Sequence, residues 1–153
     1  MRSDSTDAQA NIELVRTAFA AFNEANLDVC TQFLAEDFVI NLAGMPFQMQ
    51  GRTAWMQNAE TMQRAFPGIQ ARIHDIFSAD DKVTVRLTFQ GTHQGEFLGI
   101  PATGRDIEYT SIELYRVADG KLAEEWISSD TATLMRQLTG PLEPADRERW
   151  NGR

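Results

Sequence analysis

The sequence predicts an α+β fold, in which a curved antiparallel sheet carries helices on one face and encloses a cone-shaped pocket. Helical periodicity is confined to the chain before Pro67 and to a short stretch after Asp130. Between them lie four consecutive strand-like segments, paired by tight turns on either side of one longer loop, and this segregation of helices from strands is the signature of the class.

In residues 8–25, Ile12, Val15, Phe19 and Phe22 recur at helical spacing, with Ser5, Thr6 or Asp7 available as N-cap. Asn26 can cap a second, short helix reaching Leu34, whose apolar stripe contains Leu27, Cys30 and Leu34. Residues 38–42 read as a short strand. Residues 52–66 form a third helix through Trp55, Ala59, Met62 and Phe66, ended by Pro67-Gly68. A strand over 69–77 turns at Ala79-Asp80-Asp81 into a strand over 82–92. There Val83, Val85, Leu87 and Phe89 alternate with Thr84, Arg86, Thr88 and Gln90. His93 continues the apolar face of that strand and opens a Gly/Pro-rich mouth loop. Residues 107–117 and 121–127 form the last two strands, and a helix follows Asp130 as far as about Leu138, stopped by Gly140-Pro141. Residues 1–139 are read as one domain and 140–153 as a C-terminal tail.

The register of the last hairpin decides which groups share a pocket. Gly120 suits a type I turn with a G1 bulge, which pairs Val117 with Lys121. Tyr109, Ser111, Glu113 and Tyr115 then face the same side as Ala123, Glu125 and Ile127, while Ile112, Leu114, Leu122 and Trp126 face the other. A plain two-residue turn at Asp119-Gly120 would instead turn Glu113 toward Trp126. Antiparallel order also places His93 beside the start of the second strand and the end of the third, which makes His93 and Asp130 expected neighbours.

With 153 residues the chain has room for one good core. A net charge of −8 without a Lys/Arg-rich block argues against nucleic acid and anionic membrane surfaces as partners. The single cysteine, Cys30, sits in an apolar stripe and reads as a buried small hydrophobe. There is no zinc-type His/Cys spacing, no phosphate-cradling Gly-rich loop followed by Lys and no GxSxG elbow. The N-terminus lacks a hydrophobic run, so a cytoplasmic protein is expected.

Three segments, GTHQGEFLGIPATGR (91–105), YRVADGKLAEEW (115–126) and DTATLMRQL (130–138), resemble the SnoaL-like polyketide cyclase family. That family belongs to the cone-shaped α+β superfamily of nuclear transport factor 2, ketosteroid isomerase and limonene epoxide hydrolase. The resemblance spans residues 11–138. It implies a homodimer without metal or organic cofactor, and an intramolecular aldol ring closure driven by an aspartate acid/base with a histidine nearby. Alignment on the Asp-Gly-Lys turn places the family's histidine at Glu113 and its aspartate at Ile127, so neither residue is preserved.

Another group must therefore act if the chain is an enzyme. Glu113, set between Tyr109, Tyr115 and Ile127, would be desolvated and raised toward neutral pH, suiting it to abstract a proton alpha to a carbonyl. The alternative is a solvated strand residue. Glu125, its expected cross-strand partner, could complete an acid and base pair, or else bond to an arginine or water. His93 is a candidate acid or oxyanion donor, set against a loop-fixing hydrogen bond, whereas His74 is read as structural. Asp130 is read as an N-cap that could also orient His93. Phe97, Leu98 and Ile100 could close over an apolar substrate. Phe22, Trp55, Met56 and Trp126 are added as wall residues, with Met45, Met49 and Met62 as adaptable apolar neighbours.

The expected activity is cofactor-independent proton transfer on a bulky, apolar, polycyclic carbonyl compound, with Glu113 as base and His93 as polarising partner. Two alternatives stand beside it: epoxide opening, for which Arg86 is the available arginine although alternation puts it on the strand face opposite His93, and a dimeric module that only binds a small molecule.

Overall fold

The computed structural model describes residues 4–141, with side chains from residue 7 onward. The tail beyond Pro141 lies outside the described residues. Four helices and six strands follow in the order α1 (Asp4–Asn23), α2 (Leu27–Gln32), β1 (Leu34–Leu42), β2 (Met49–Gln50), α3 (Arg52–Ala65), β3 (Gln70–Ala79), β4 (Lys82–Thr92), β5 (Asp106–Ala118), β6 (Lys121–Ser129) and α4 (Thr131–Thr139). The strands form one curved, unclosed sheet in the order β2-β1-β6-β5-β4-β3.

The alternation on β4 does what its period requires: Val83, Val85 and Leu87 are fully buried, and Phe89 packs partly buried beside them. They join Val15 of α1 and Phe38 and Ile40 of β1 in one apolar cluster. A second cluster, at the end nearer the 93–105 loop, unites Phe66, Ile69, Ile107, Tyr109, Leu134 and Leu138 and docks α4 onto β5. Each fully buried side chain of this size stabilises the fold by about 1.5–3 kcal/mol. Asn26 caps α2 by accepting a hydrogen bond from the Val29 amide, and Asp130 caps α4 by accepting from the Thr133 amide at 3.1 Å.

Several elements depart from the sequence expectation. Helix α1 already runs at Asp4, so Ser5, Thr6 and Asp7 lie within it rather than at its N-cap. β1 begins at Leu34, four residues early, because a register shift between Leu34 and Val39 lets it rejoin β6. That pairing is parallel, unlike the antiparallel ladder of β3 to β6. The two-residue β2, which pairs with Val39 and Ile40, is too short to show any alternation.

The β5–β6 hairpin differs in an instructive way. Ala118 pairs with Lys121 across a two-residue turn in which both Asp119 and Gly120 have positive φ, 52° and 72°. This is the type I′ geometry, whose twist matches the strands. The expected pairing of Val117 with Lys121 is therefore absent, and Val117 pairs with Leu122. The register then shifts again at Ala123, so that Arg116 faces Glu124, Tyr115 faces Glu125 and Glu113 faces Ile127. Glu113, Tyr115, Glu125 and Ile127 thus share one face after all. Leu122 lies between turn and bulge and moves to the core side, where it is 2% exposed.

The mouth loop is anchored at its root. The amides of Gln94 and Gly95 both donate to the Ala65 carbonyl at the end of α3, and a Cβ at residue 95 would overlap the Arg64 carbonyl oxygen. Glycine is required there by close approach of two backbones.

Candidate active site

The concave face of the sheet, together with α1, α3, α4 and the mouth loop, encloses a cavity of about 390 Å³. Its exposed rim includes Asn58, Leu98 and Thr131, and its walls are largely aromatic and aliphatic. Phe22 meets Phe89 edge-on at 6.2 Å, and Phe19 meets Tyr115 edge-on at 6.1 Å.

The buried polar end consists of Glu113, Tyr115 and Glu125, which are 4%, 6% and 3% exposed. All three line the cavity. Alternation on β5 carries Ser111, Glu113 and Tyr115 to one side, and the bulge in β6 brings Glu125 opposite Tyr115. Tyr115 Oη donates to Glu113 Oε1 at 2.5 Å, and Ser111 Oγ donates to Glu113 Oε2 at 3.0 Å. Ser111 Oγ is in turn 2.8 Å from Ser129 Oγ. Among the described residues, none that lines the cavity is Lys, Arg or His.

Burial raises the proton affinity of Glu113, and the donated bonds from Tyr115 and Ser111 act against that rise. Glu125 is raised well above the carboxylate range by burial and then by the charge of Glu113, with a hydrogen bond to Tyr115 opposing. Tyr109 and Tyr115 are pushed upward as well, by burial and by the nearby carboxylates. With two donors of its own, Glu113 is the member of the pair that ionises more readily, and Glu125 holds the proton longer. The expectation that Glu125 lies directly opposite Glu113 is corrected: they are diagonal neighbours, because the shorter turn and the Ala123 bulge together shift the register by two residues.

Phe22, Trp55, Phe97, Leu98, Tyr109 and Ile127 also line the cavity. Other candidates do not. His93 is fully buried beneath the mouth loop, against Phe66 at 5.6 Å, with Nδ1 accepting from the Thr103 amide at 3.2 Å. Asp130 is exposed and spends its carboxylate on the amide and hydroxyl of Thr133. His93 bonds to Arg105, the residue just before β5, whereas Asp130 bonds to Thr110 within it, so the expected neighbours stand five residues apart along the chain, about 16 Å. Trp126 pairs with Leu114 and Asn41 on the opposite face of the sheet. Met56 is rotated off the cavity-facing side of α3, which presents Trp55, Asn58, Ala59 and Met62.

Met45 is 45% exposed outside the cavity, and Met49 packs against the core from β2. Ile100 bonds back to Phe97 and packs on the second apolar cluster. Arg86 binds Asp75 at 2.6 Å on the outer face, and His74 bonds to Thr88 at 2.7 Å. Burial pushes the Cys30 thiol up to about 11, which keeps it protonated and unreactive at neutral pH.

Two residues of the site escaped the sequence reading. Ser111 was placed on the correct face without a role, although its spacing of two from Glu113 signals a shared side. Ser129 lies beyond the expected end of β6 at residue 127, but the strand runs on to it. Among the described residues no cluster of three or more His, Cys, Asp or Glu could hold a metal ion, and no helix is long and apolar enough to cross a membrane.

The sequence profile of the SnoaL-like polyketide cyclases matches residues 12–138. The chain belongs to that family. Aklanonic acid methyl ester cyclase DauD of Streptomyces sp. (strain C5) is 28% identical over 134 residues, covering 85% of this chain and 82% of its own. IdmH of Streptomyces antibioticus, a candidate polyketide cyclase, is 33% identical with a TM-score of 0.73, over 84% of this chain and 97% of its own. A candidate SnoaL-like polyketide cyclase of Jannaschia sp. CCS1 superposes with a TM-score of 0.82 at 21% identity, over 93% of this chain and 99% of its own, and supports the fold. In this SnoaL-like chain the two positions singled out by the resemblance, Glu113 and Ile127, are direct cross-strand partners facing the cavity.

Proposed function

We propose that this SnoaL-like protein is a cofactor-independent acid/base enzyme that cyclises or isomerises a bulky, mostly apolar, polycyclic carbonyl compound. The observation that carries the reading is a buried carboxylate, Glu113, held by two hydroxyl donors at the closed end of an apolar cavity that, among the described residues, no cationic side chain lines. The similarity to aklanonic acid methyl ester cyclases supports the substrate class.

In this reading Glu113 removes a proton alpha to a carbonyl. Its raised proton affinity brings it closer to that of such a carbon acid, which strengthens it as a base without requiring it to be neutral at pH 7. Glu125, which retains its proton longer, donates to the oxygen on which negative charge develops, and so takes the polarising role expected of His93. The enolate carbon then attacks a second carbonyl to close a ring, or is reprotonated elsewhere to give an isomer. Exclusion of water by the ligand and the aromatic walls strengthens both interactions. The epoxide-opening alternative asks for Arg86, which lies on the outer face.

The protein is proposed to act as a homodimer. The outer sheet face, with Phe77 60% and Ile112 55% exposed, offers apolar surface for a second copy, and sedimentation equilibrium measures the association. The catalytic test is Glu113→Gln, assayed against a panel of polycyclic ketones that includes aklanonic acid methyl ester. Turnover is expected to fall by about 10²–10⁴-fold with ligand affinity retained. Unchanged turnover would remove Glu113 from the mechanism.

A further inference from the structure

A base that has accepted a proton inside a filled cavity must pass it on before the next cycle. Once a ligand occupies the space in front of Glu113, water cannot reach the carboxyl from that side. The structure provides a second exit. Ser111 is 1% exposed and does not line the cavity, so its hydroxyl stands behind the wall that a ligand would cover. It joins Glu113 Oε2 at 3.0 Å to Ser129 Oγ at 2.8 Å. Ser129 is only partly buried and lines the cavity beside Thr131, which is exposed at the rim.

We infer that Ser111 and Ser129 form a two-hydroxyl proton relay connecting Glu113 to the rim of the cavity behind the bound ligand. The inference rests on Glu113 acting as the base. The two polarities of the chain match the two protonation states of that carboxyl. When Glu113 is ionised, Ser111 donates to it and Ser129 donates to Ser111. When Glu113 carries a proton, Oε2–H donates to Ser111, Ser111 to Ser129, and Ser129 to water at the rim. Transfer along the second arrangement moves one proton per link: Glu113 loses one, each serine gains one and gives one up, and water receives one. No electron pair leaves the chain, and the carboxylate is regenerated. Tyr115 cannot serve as this exit, because its hydroxyl lies between two buried carboxyls.

Both serines are positioning residues, since they act through Glu113, and the test is run with the cavity filled by an unreactive polycyclic probe, phenanthrene, which closes the direct water route from the cavity side. In the intact protein the carbonyl stretch of protonated Glu113 is assigned by infrared difference against Glu113→Gln. Its titration midpoint and its protonation rate after a light-triggered proton jump are then measured. In Ser111→Ala the midpoint is expected to rise by about one pH unit, because a hydrogen bond to a charged group is worth roughly a tenfold change in ionisation. In both Ser111→Ala and Ser129→Ala the rate is expected to fall at least about tenfold, and Ser129→Thr should restore it. Ser129→Ala, at a partly exposed position, keeps the test open if the buried alanine variant fails to fold. A wild-type protonation rate in Ser129→Ala overturns the relay, including when the midpoint of Ser111→Ala has moved. Turnover of Glu113→Gln separately tests the base, so the two ideas can fail independently.

Discussion

Glu125→Gln probes the burial of the carboxyl pair without any ligand. Glu125 is 3% exposed, faces Tyr115 across the β5–β6 ladder and, among the described residues, has no Lys, Arg or His beside it in the cavity wall. Gln keeps the shape of the side chain and can still bond to Tyr115, so the substitution removes little except the charge. Because burial raises the folded-state affinity of Glu125 above the ordinary value of 4.5, the unfolded chain gives up this proton first as pH rises. The stability linked to the proton is therefore fully present below that value and is lost as pH climbs through the folded-state titration. Glutamine has no proton to lose. The stability curves of wild type and variant should converge near pH 4 and separate steadily toward pH 9, with the variant more stable. Replacing buried charged groups with neutral side chains of similar volume recovers about 1–4 kcal/mol, and about 2 kcal/mol is expected here. For a chain of this length that is a rise in Tm of about 4–8 °C at pH 9 and almost none at pH 4. Thermal melts followed by circular dichroism across this range provide the measurement. Parallel curves, or a variant less stable at every pH, would refute the placement of this carboxyl in a desolvated site.

Gly95→Ala sets a methyl group against the Arg64 carbonyl oxygen, which is backbone and cannot swing aside, so the mouth loop must leave the end of α3. A loss of about 1–3 kcal/mol in urea unfolding is expected, together with faster hydrogen exchange at the Gln94 and Gly95 amides. Asp130→Ala removes the cap of α4 and should cost about 1 kcal/mol at pH 7. The bonds from Thr133 hold the Asp130 carboxyl below its usual 3.8, so its contribution is present above that value and fades as pH falls through the folded-state titration. The difference between wild type and Asp130→Ala should accordingly shrink in acid, as chemical denaturation at pH 7 and pH 2 can show.

The strands were legible wherever a period of two met a turn residue. β4 is read to its ends because its apolar and polar residues alternate without interruption and the turn before it holds Asp80 at a positive φ of 54°. The pocket face of β5 was legible for the same reason. That Glu125 and Ile127 join this face depends on two errors that cancel. The turn is one residue shorter than expected and slips the register by one, and the Ala123 bulge slips it once more. Lys121 and Leu122 lie between the two slips, which is why these two change sides. A bulge at an alanine leaves no compositional mark, because it depends on what neighbouring strands require of the backbone. The parallel pairing of β1 with β6 joins residues more than eighty positions apart and was likewise hidden. His93 and Asp130 were brought together by reasoning from strand order alone. Strand order says which ends are adjacent but not how far β5 runs past each neighbour.

The loss of the aspartate implied by the family resemblance need not mean the loss of its chemistry. Glu113 and Ile127 face one another across β5 and β6, and side chains at opposed positions on one face of a sheet project from Cβ atoms only about 4.5–5.5 Å apart. A carboxyl at either position therefore reaches much the same volume of the cavity, and glutamate adds one methylene of reach over aspartate. Under the proposed function the base has moved across the pair, from the β6 side to the β5 side. The move has a structural condition. On β5 the carboxyl falls two residues from both Ser111 and Tyr115, which supply a donor to each of its oxygens. Without them, burial alone would favour the protonated form still more strongly, and the group would be a poorer base at neutral pH. An isoleucine on the opposite strand is compatible with this arrangement because a second acid there would add a like charge within reach of Glu113 and raise its proton affinity further.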